Sequence, residues 1–123
     1  MDAWTEICRV DELPRLGART LRRPHGGDIA VFRTEGDEVF ALLDRCPHKG
    51  GPLSQGLVFG RAVACPLHNW TVALDSGCAV APDHGCTPAF EVRVEQGRVY
   101  LRAQALAGGA GTLPEAAGSS GDV

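Results

Sequence analysis

Apolar residues in this chain fall in short runs, rich in β-branched and aromatic side chains and bounded by turn residues, which is a strand signal. IAVFRT at 29–34 and VFALL at 39–43 flank the turn EGDE and predict a hairpin. WTEIC at 4–8 and ARTL at 18–21 predict strands ahead of it. LVF at 57–59 and RAVA at 61–64 flank Gly60 and predict a second hairpin, and WTVAL at 70–74 predicts a strand that stops at the turn DSG. FEVRV at 90–94, the turn EQG and RVYLR at 98–102 carry the clearest alternation. No stretch shows a helical period, and DELPRLG at 11–17 has room for one helical turn at most, because Pro14 and Gly17 interrupt it. The pattern predicts the all-β class. Gly, Ala and Ser dominate from about residue 104, which predicts one domain over 1–103 followed by a flexible tail, 104–123. Within that tail GGAG lacks the strand–turn–helix context of a dinucleotide site.

A chain of 123 residues suffices for one domain with one core. Lys+Arg 12 against Asp+Glu 15 gives a net −3 with both signs scattered, so no basic stripe marks a nucleic-acid partner. No run is long enough to span a membrane, the opening residues lack a signal-peptide pattern, and Arg22-Arg23 is followed by PHGG, so the expected location is cytoplasmic. Five cysteines, at 8, 46, 65, 78 and 86, make a poor disulfide framework, which predicts reduced thiols. Cys8, Cys78 and Cys86 read as small buried hydrophobes. Phe32, Phe40, Phe59, Trp70 and Phe90 read as core, and His25 and His84 as surface residues in turns. The serines sit in turns or in the tail, so no catalytic nucleophile is predicted.

Two segments carry the chemistry. CPHKGG at 46–51 and CPLHNW at 65–70 each place a cysteine and a histidine in a Gly/Pro-rich loop, with sixteen residues between His48 and Cys65. Cys46, His48, Cys65 and His68 therefore form a candidate metal-ligand set. Tetrahedral zinc accepts two thiolates and two imidazoles. Zinc fingers, however, group their cysteines on one knuckle, whereas here each loop holds one ligand of each kind. That order suits a binuclear centre in which Cys46 and Cys65 hold one iron and His48 and His68 the other, the Rieske [2Fe–2S] ligand set. Two ferric ions, two sulfides and two thiolates sum to zero, so an added electron meets less repulsion than with four thiolates. Potentials accordingly run from about −150 to +300 mV, against roughly −400 mV for plant-type ferredoxins. Pro47 and Pro66 stiffen the loops and remove a donor after each cysteine, while Gly50 and Gly51 allow backbone amides to turn toward sulfur or, equally, an ordinary turn. Lys49 reads as a solvated loop lysine.

With these residues the chain resembles the Rieske family, most closely the small subunits of NAD(P)H-dependent assimilatory nitrite reductases. The resemblance rests on DRCPHKGGPLSQG at 44–56, CPLHNW at 65–70, PDHGC at 82–86 and FEVRVEQGRVYL at 90–101. It implies an antiparallel β-sandwich with a small cluster-binding lobe, about 44–86, and a [2Fe–2S] cofactor. It also implies a large-subunit partner carrying flavin, a [4Fe–4S] cluster and sirohaem, which reduces nitrite to ammonium. Ferredoxins that supply electrons to oxygenases share both ligand boxes but usually continue the second with glycine and a Phe-Asp pair, where this chain has Asn69 and Trp70. They are the alternative reading. Cytochrome bc-type proteins bridge two further cysteines, at positions matching Gly51 and Leu67, and carry a serine hydroxyl where this chain has Trp70. Their absence implies a potential low in the Rieske range.

Overall fold

The computed structural model describes residues 3–47, 50–66, 69–81 and 83–111. They form ten strands in order: β1 (Trp4–Arg9), β2 (Gly17–Leu21), β3 (Ile29–Arg33), β4 (Val39–Leu43), β5 (Leu57–Phe59), β6 (Ala62–Ala64), β7 (Thr71–Ala73), β8 (Ala89–Phe90), β9 (Val92–Glu95) and β10 (Arg98–Arg102). Short 3-10 turns lie at Val10–Glu12 and Leu53–Gln55, and one turn of helix, α1, at Ala103–Leu106. All strand pairings are antiparallel, in three sheets ordered β1-β10-β9, β2-β3-β4-β8 and β5-β6-β7. The expected all-β fold is what the chain adopts.

The β2-β3-β4-β8 sheet is the central layer. Ile29 and Val31 of β3, with Val39 and Ala41 of β4, face Val99 and Leu101 of β10 in one core. Ala30 and Phe32, with Leu42, face Val58, Val63 and Val72 in a second core beneath β5-β6-β7. A strand buried on both faces needs no polar alternation, which is why IAVF is continuously apolar. Cys8 joins the first core as a small hydrophobe, and its burial pushes the thiol pKa up, which disfavours the reactive thiolate.

Local chemistry fixes the hairpins. Gln96 and Gly97 both take positive φ, 51° and 75°, in the two-residue turn that joins β9 to β10. Between β3 and β4, Asp37 adopts φ 66°, and Arg33 grips its carboxylate at 2.9 and 2.8 Å while donating a further hydrogen bond to the Leu13 carbonyl at 2.8 Å.

Three expectations change. FEVRV is not one strand: β8 pairs with β4 and β9 pairs with β10, so the chain crosses between sheets at Glu91. Phe59 is not core; it is 46% exposed on the outer side of β5, because Val58 takes the inward position. The segment expected to be tail is folded as far as Gly111, with Ala105 buried. Arg23 causes this, donating to the carbonyls of Ala105 at 2.8 Å and Gly109 at 2.7 Å while its guanidinium lies over the Phe90 ring at 5.1 Å. Residues 112–123 of the expected tail lie outside the described residues.

Candidate metal centre

Cys46 and Cys65 stand at the bases of two loops built alike. In the first, the Cys46 amide donates to the Gly51 carbonyl at 2.7 Å; in the second, the Cys65 amide donates to the Trp70 carbonyl at 2.7 Å. Each hydrogen bond closes the loop onto the carbonyl five residues ahead. The first is pinched further by Gly50, whose amide donates to the Cys46 carbonyl at 2.9 Å with φ 74°. That amide is thus committed to oxygen, so of the two readings of this glycine the ordinary turn holds rather than a donor aimed at sulfur. In the second, Asn69 takes φ 57°, a left-handed conformation that asparagine tolerates.

Each loop is anchored on the sheet that delivers it. β4 leads into the first, and the Asp44 carboxylate just after it accepts hydrogen bonds from the Ser54 amide at 2.7 Å and the Ser54 hydroxyl at 2.8 Å. This ties the start of the loop to the 3-10 turn whose Leu53 is wholly buried. β6 leads into the second loop and β7 leaves it.

The two cysteines are 2% and 0% exposed and belong to one core with Leu53, Val58, Val63, Val72 and Leu74. Both are thiols. Two buried thiols at the feet of two matching loops fit the sulfur half of a mixed sulfur–nitrogen donor set. The imidazole half, His48 and His68, lies outside the described residues, as does Lys49. Among the described residues no three His, Cys, Asp or Glu side chains gather as a metal site. A cavity of about 480 Å³ adjoins the first loop, lined by Leu43, Arg45, Cys46, Pro47, Cys86 and Thr87, among others.

A third loop packs against these two. Gly77–Ala79 runs antiparallel to Gly85–Thr87, with Ala79 N–H donating to Gly85 O and Thr87 N–H to Gly77 O, both at 2.8 Å. Between them Cys78 and Cys86 form a disulfide, which overturns the expectation that both are reduced, buried hydrophobes; each is half-buried. The physical reason is local: the turn between them folds the segment back on itself and places the two cysteines directly opposite each other. Gly77 takes φ 77°, and a Cβ there would overlap the Thr87 carbonyl oxygen, so only glycine lets the two arms approach this closely. Near the loop's tip the exposed His84 ring lies 6.4 Å from that of Trp70, and a Cβ at Gly85 would touch Pro47. Sequence reasoning missed the disulfide; its available signal was two cysteines eight residues apart on either side of the turn-forming PDHG.

Residues 3–91 match the Rieske [2Fe-2S] domain. The chain belongs to the Rieske family. It is 37% identical over 102 residues to the 3-phenylpropionate/cinnamic acid dioxygenase ferredoxin subunit of Photorhabdus laumondii, covering 77% of this chain and 90% of that one. A solved structure assigned as an NADH-dependent nitrite reductase small subunit from Mycobacterium tuberculosis superposes with a TM-score of 0.72 at 26% identity, covering 83% of this chain and 96% of that one. The E. coli protein NirD superposes with a TM-score of 0.69 at 28% identity, covering 84% and 98%. This Rieske protein is an electron carrier with a Rieske-type [2Fe–2S] cluster as its cofactor. No helix among the described residues is long and apolar enough to cross a membrane.

Proposed function

We propose that this Rieske protein is the electron-transfer subunit of an NAD(P)H-dependent nitrite reductase in the cytoplasm, with Cys46 and Cys65 ligating one iron and His48 and His68 the other. The bound cluster supplies reversible one-electron chemistry. The chain does the rest. Its two amide-closed loops hold the cysteines at fixed positions, and the apolar side chains of Leu53, Val58 and Val72 keep water from the thiolate side. Pro47 and Pro66 withhold a backbone donor directly after each cysteine. Trp70 occupies the position where a hydroxyl would raise the potential, so a midpoint low in the Rieske range is expected.

The observation that carries this reading is the third loop. PDHGC and the Asn69-Trp70 continuation of the second box set the sequence apart from oxygenase ferredoxins, and in the fold the two features meet where His84 lies against Trp70. The similarity to the M. tuberculosis small subunit supports the same assignment. The partner is then a large subunit with flavin, a [4Fe–4S] cluster and sirohaem, and the chain needs no substrate site of its own. The test is co-purification with such a reductase followed by nitrite-dependent NAD(P)H oxidation. Loss of that activity in Cys65→Ser and in His68→Gln is the expected result; wild-type turnover in either variant would overturn the proposal.

A second reading is favoured by the P. laumondii relative, whose length the chain nearly spans. In it the chain is a free-standing ferredoxin that reduces an oxygenase. Stopped-flow oxidation of the reduced chain by a sirohaem reductase and by a ring-hydroxylating oxygenase separates the two, since only the true acceptor reoxidises it rapidly.

A further inference from the structure

The Cys78–Cys86 disulfide joins more than the two arms of one loop. On the Cys78 side, Ala73 N–H donates to the Cys78 carbonyl at 2.9 Å and Val80 N–H to the Thr71 carbonyl at 2.8 Å, which fastens this arm along β7, the strand that leaves the second ligand loop. On the Cys86 side, the chain continues through Thr87 to Pro88, whose carbonyl accepts the Leu43 amide at 2.9 Å at the end of β4, the strand that enters the first ligand loop. The bond therefore crosslinks the lobe sheet to the central sheet between the roots of the two loops. Its surroundings point the same way: Cys86 shares the cavity wall with Cys46 and Pro47.

We propose that Cys78–Cys86 is a thiol–disulfide exchange site whose state sets how firmly the third loop holds the two ligand loops together, and that its reactant is a small or protein dithiol. Both sulfurs belong to half-buried residues at the surface of the lobe, so a dithiol has access that the buried Cys8, Cys46 and Cys65 deny. A thiolate of the reductant attacks one sulfur and the Sγ–Sγ bond breaks as a mixed disulfide forms. The reductant's second thiol then displaces the protein sulfur. Two electrons and two protons pass to Cys78 and Cys86, and the dithiol becomes a disulfide. Once the bond is open, the two hydrogen bonds between the 77–79 and 85–87 arms are, among the described residues, what holds them directly, and partly exposed ladders this short open readily.

The coupling to the cluster rests on the ligand assignment above, and the experiment keeps the two separable. The full chain, reconstituted anaerobically with iron and sulfide, is treated with dithiothreitol. Alkylation with peptide mass mapping, amide exchange of residues 78–86 and the rate of iron loss to a chelator are then read together. The expected result is that Cys78 and Cys86 resist alkylation until the dithiol is added, exchange across 78–86 then rises, and iron loss accelerates by roughly tenfold. The Cys78→Ser/Cys86→Ser double variant loses iron at the fast rate with or without dithiol, which excludes direct attack of the reagent on the cluster. Alkylation of both cysteines before reduction would overturn the proposal, as would an unchanged rate of iron loss after the bond is shown to be open. A chain that takes up no iron and sulfide refutes the ligand assignment and the coupling with it, while alkylation and exchange on the same material still report whether the bond forms and holds the loop.

Discussion

Against β1, β9 and β10, the central sheet buries Ile29, Val31, Val39 and Ala41 beneath ladders whose strands run four to six residues. Against β5–β7 it buries Ala30, Phe32 and Leu42 beneath strands of three. The first core is hydrocarbon apart from the Cys8 thiol, and regular pairing suffices to hold it. The second contains Cys46 and Cys65 and is roofed by loops, so sheet pairing alone secures little of it. The lobe is held instead by point fastenings: the amide closures at Cys46 and Cys65, Asp44 on Ser54, and the Cys78–Cys86 bond. The difference is that Cys46 and Cys65 lie on the side of the central sheet where the strands are shortest and the backbone is least regular.

The contrast is sharpest under metal removal. Chelating the cluster should raise amide exchange in β5–β7 by about a hundredfold or more while β1, β9 and β10 change little, because binding free energy of a metal centre is local folding free energy; exchange followed by mass spectrometry checks it, and equal deprotection of both regions would erase the distinction. Next come matched truncations of two wholly buried leucines. Leu101→Ala and Leu53→Ala should each cost about 2–5 kcal/mol in denaturant unfolding, but only Leu53→Ala should also bleach the visible cluster spectrum faster. Gly77→Ala forces a Cβ onto the Thr87 carbonyl at φ 77°, with an expected loss of about 1–3 kcal/mol and a lower yield of the Cys78–Cys86 bond by mass. Asp44→Ala leaves the Ser54 amide without its acceptor and should cost about 1–2 kcal/mol, read as a shifted denaturation midpoint in the cluster-loaded protein.

The smallest effect belongs to Asp37, ahead of the start of β4, whose far end leads to Asp44. The Arg33 hydrogen bond, followed by the charges of Arg33 and Arg15, holds its carboxyl below the ordinary aspartate value. The folded pKa is the depressed one, so the contribution is complete above the unfolded-state pKa and fades as pH falls through the folded value. Asp37→Asn should therefore lose that small contribution at neutral pH and flatten the acid limb, so that the variant and wild-type stabilities converge as pH falls through the folded value, as thermal melts across pH would show.

Much of this fold is legible in the sequence. β4 and β10 span the very residues their apolar runs marked, VFALL and RVYLR, since each is bounded by turn residues. Cys46 and Cys65 were marked by the spacing of the two boxes, and the fold brings both into one core. What escaped depends on partners distant in sequence. Alternation in FEVRV says that residues are extended but not which sheet they join, so the crossing at Glu91 was invisible. AQAL at 103–106 consists of good helix formers, but four residues ahead of a Gly-rich stretch are too few to hold a helix turn alone, and the restraint comes from Arg23, far along the chain. LVF can bury one parity only, and Leu57, at 69% exposure, shares Phe59's outward side.

One consequence follows from β3 lying between two interiors. In an ordinary strand, parity leaves every second position free to change; here Ile29, Ala30, Val31 and Phe32 are all sealed. Along this strand there is no neutral address for a charge, a label or a drifting codon, and damage to either compartment is transmitted through a shared partition.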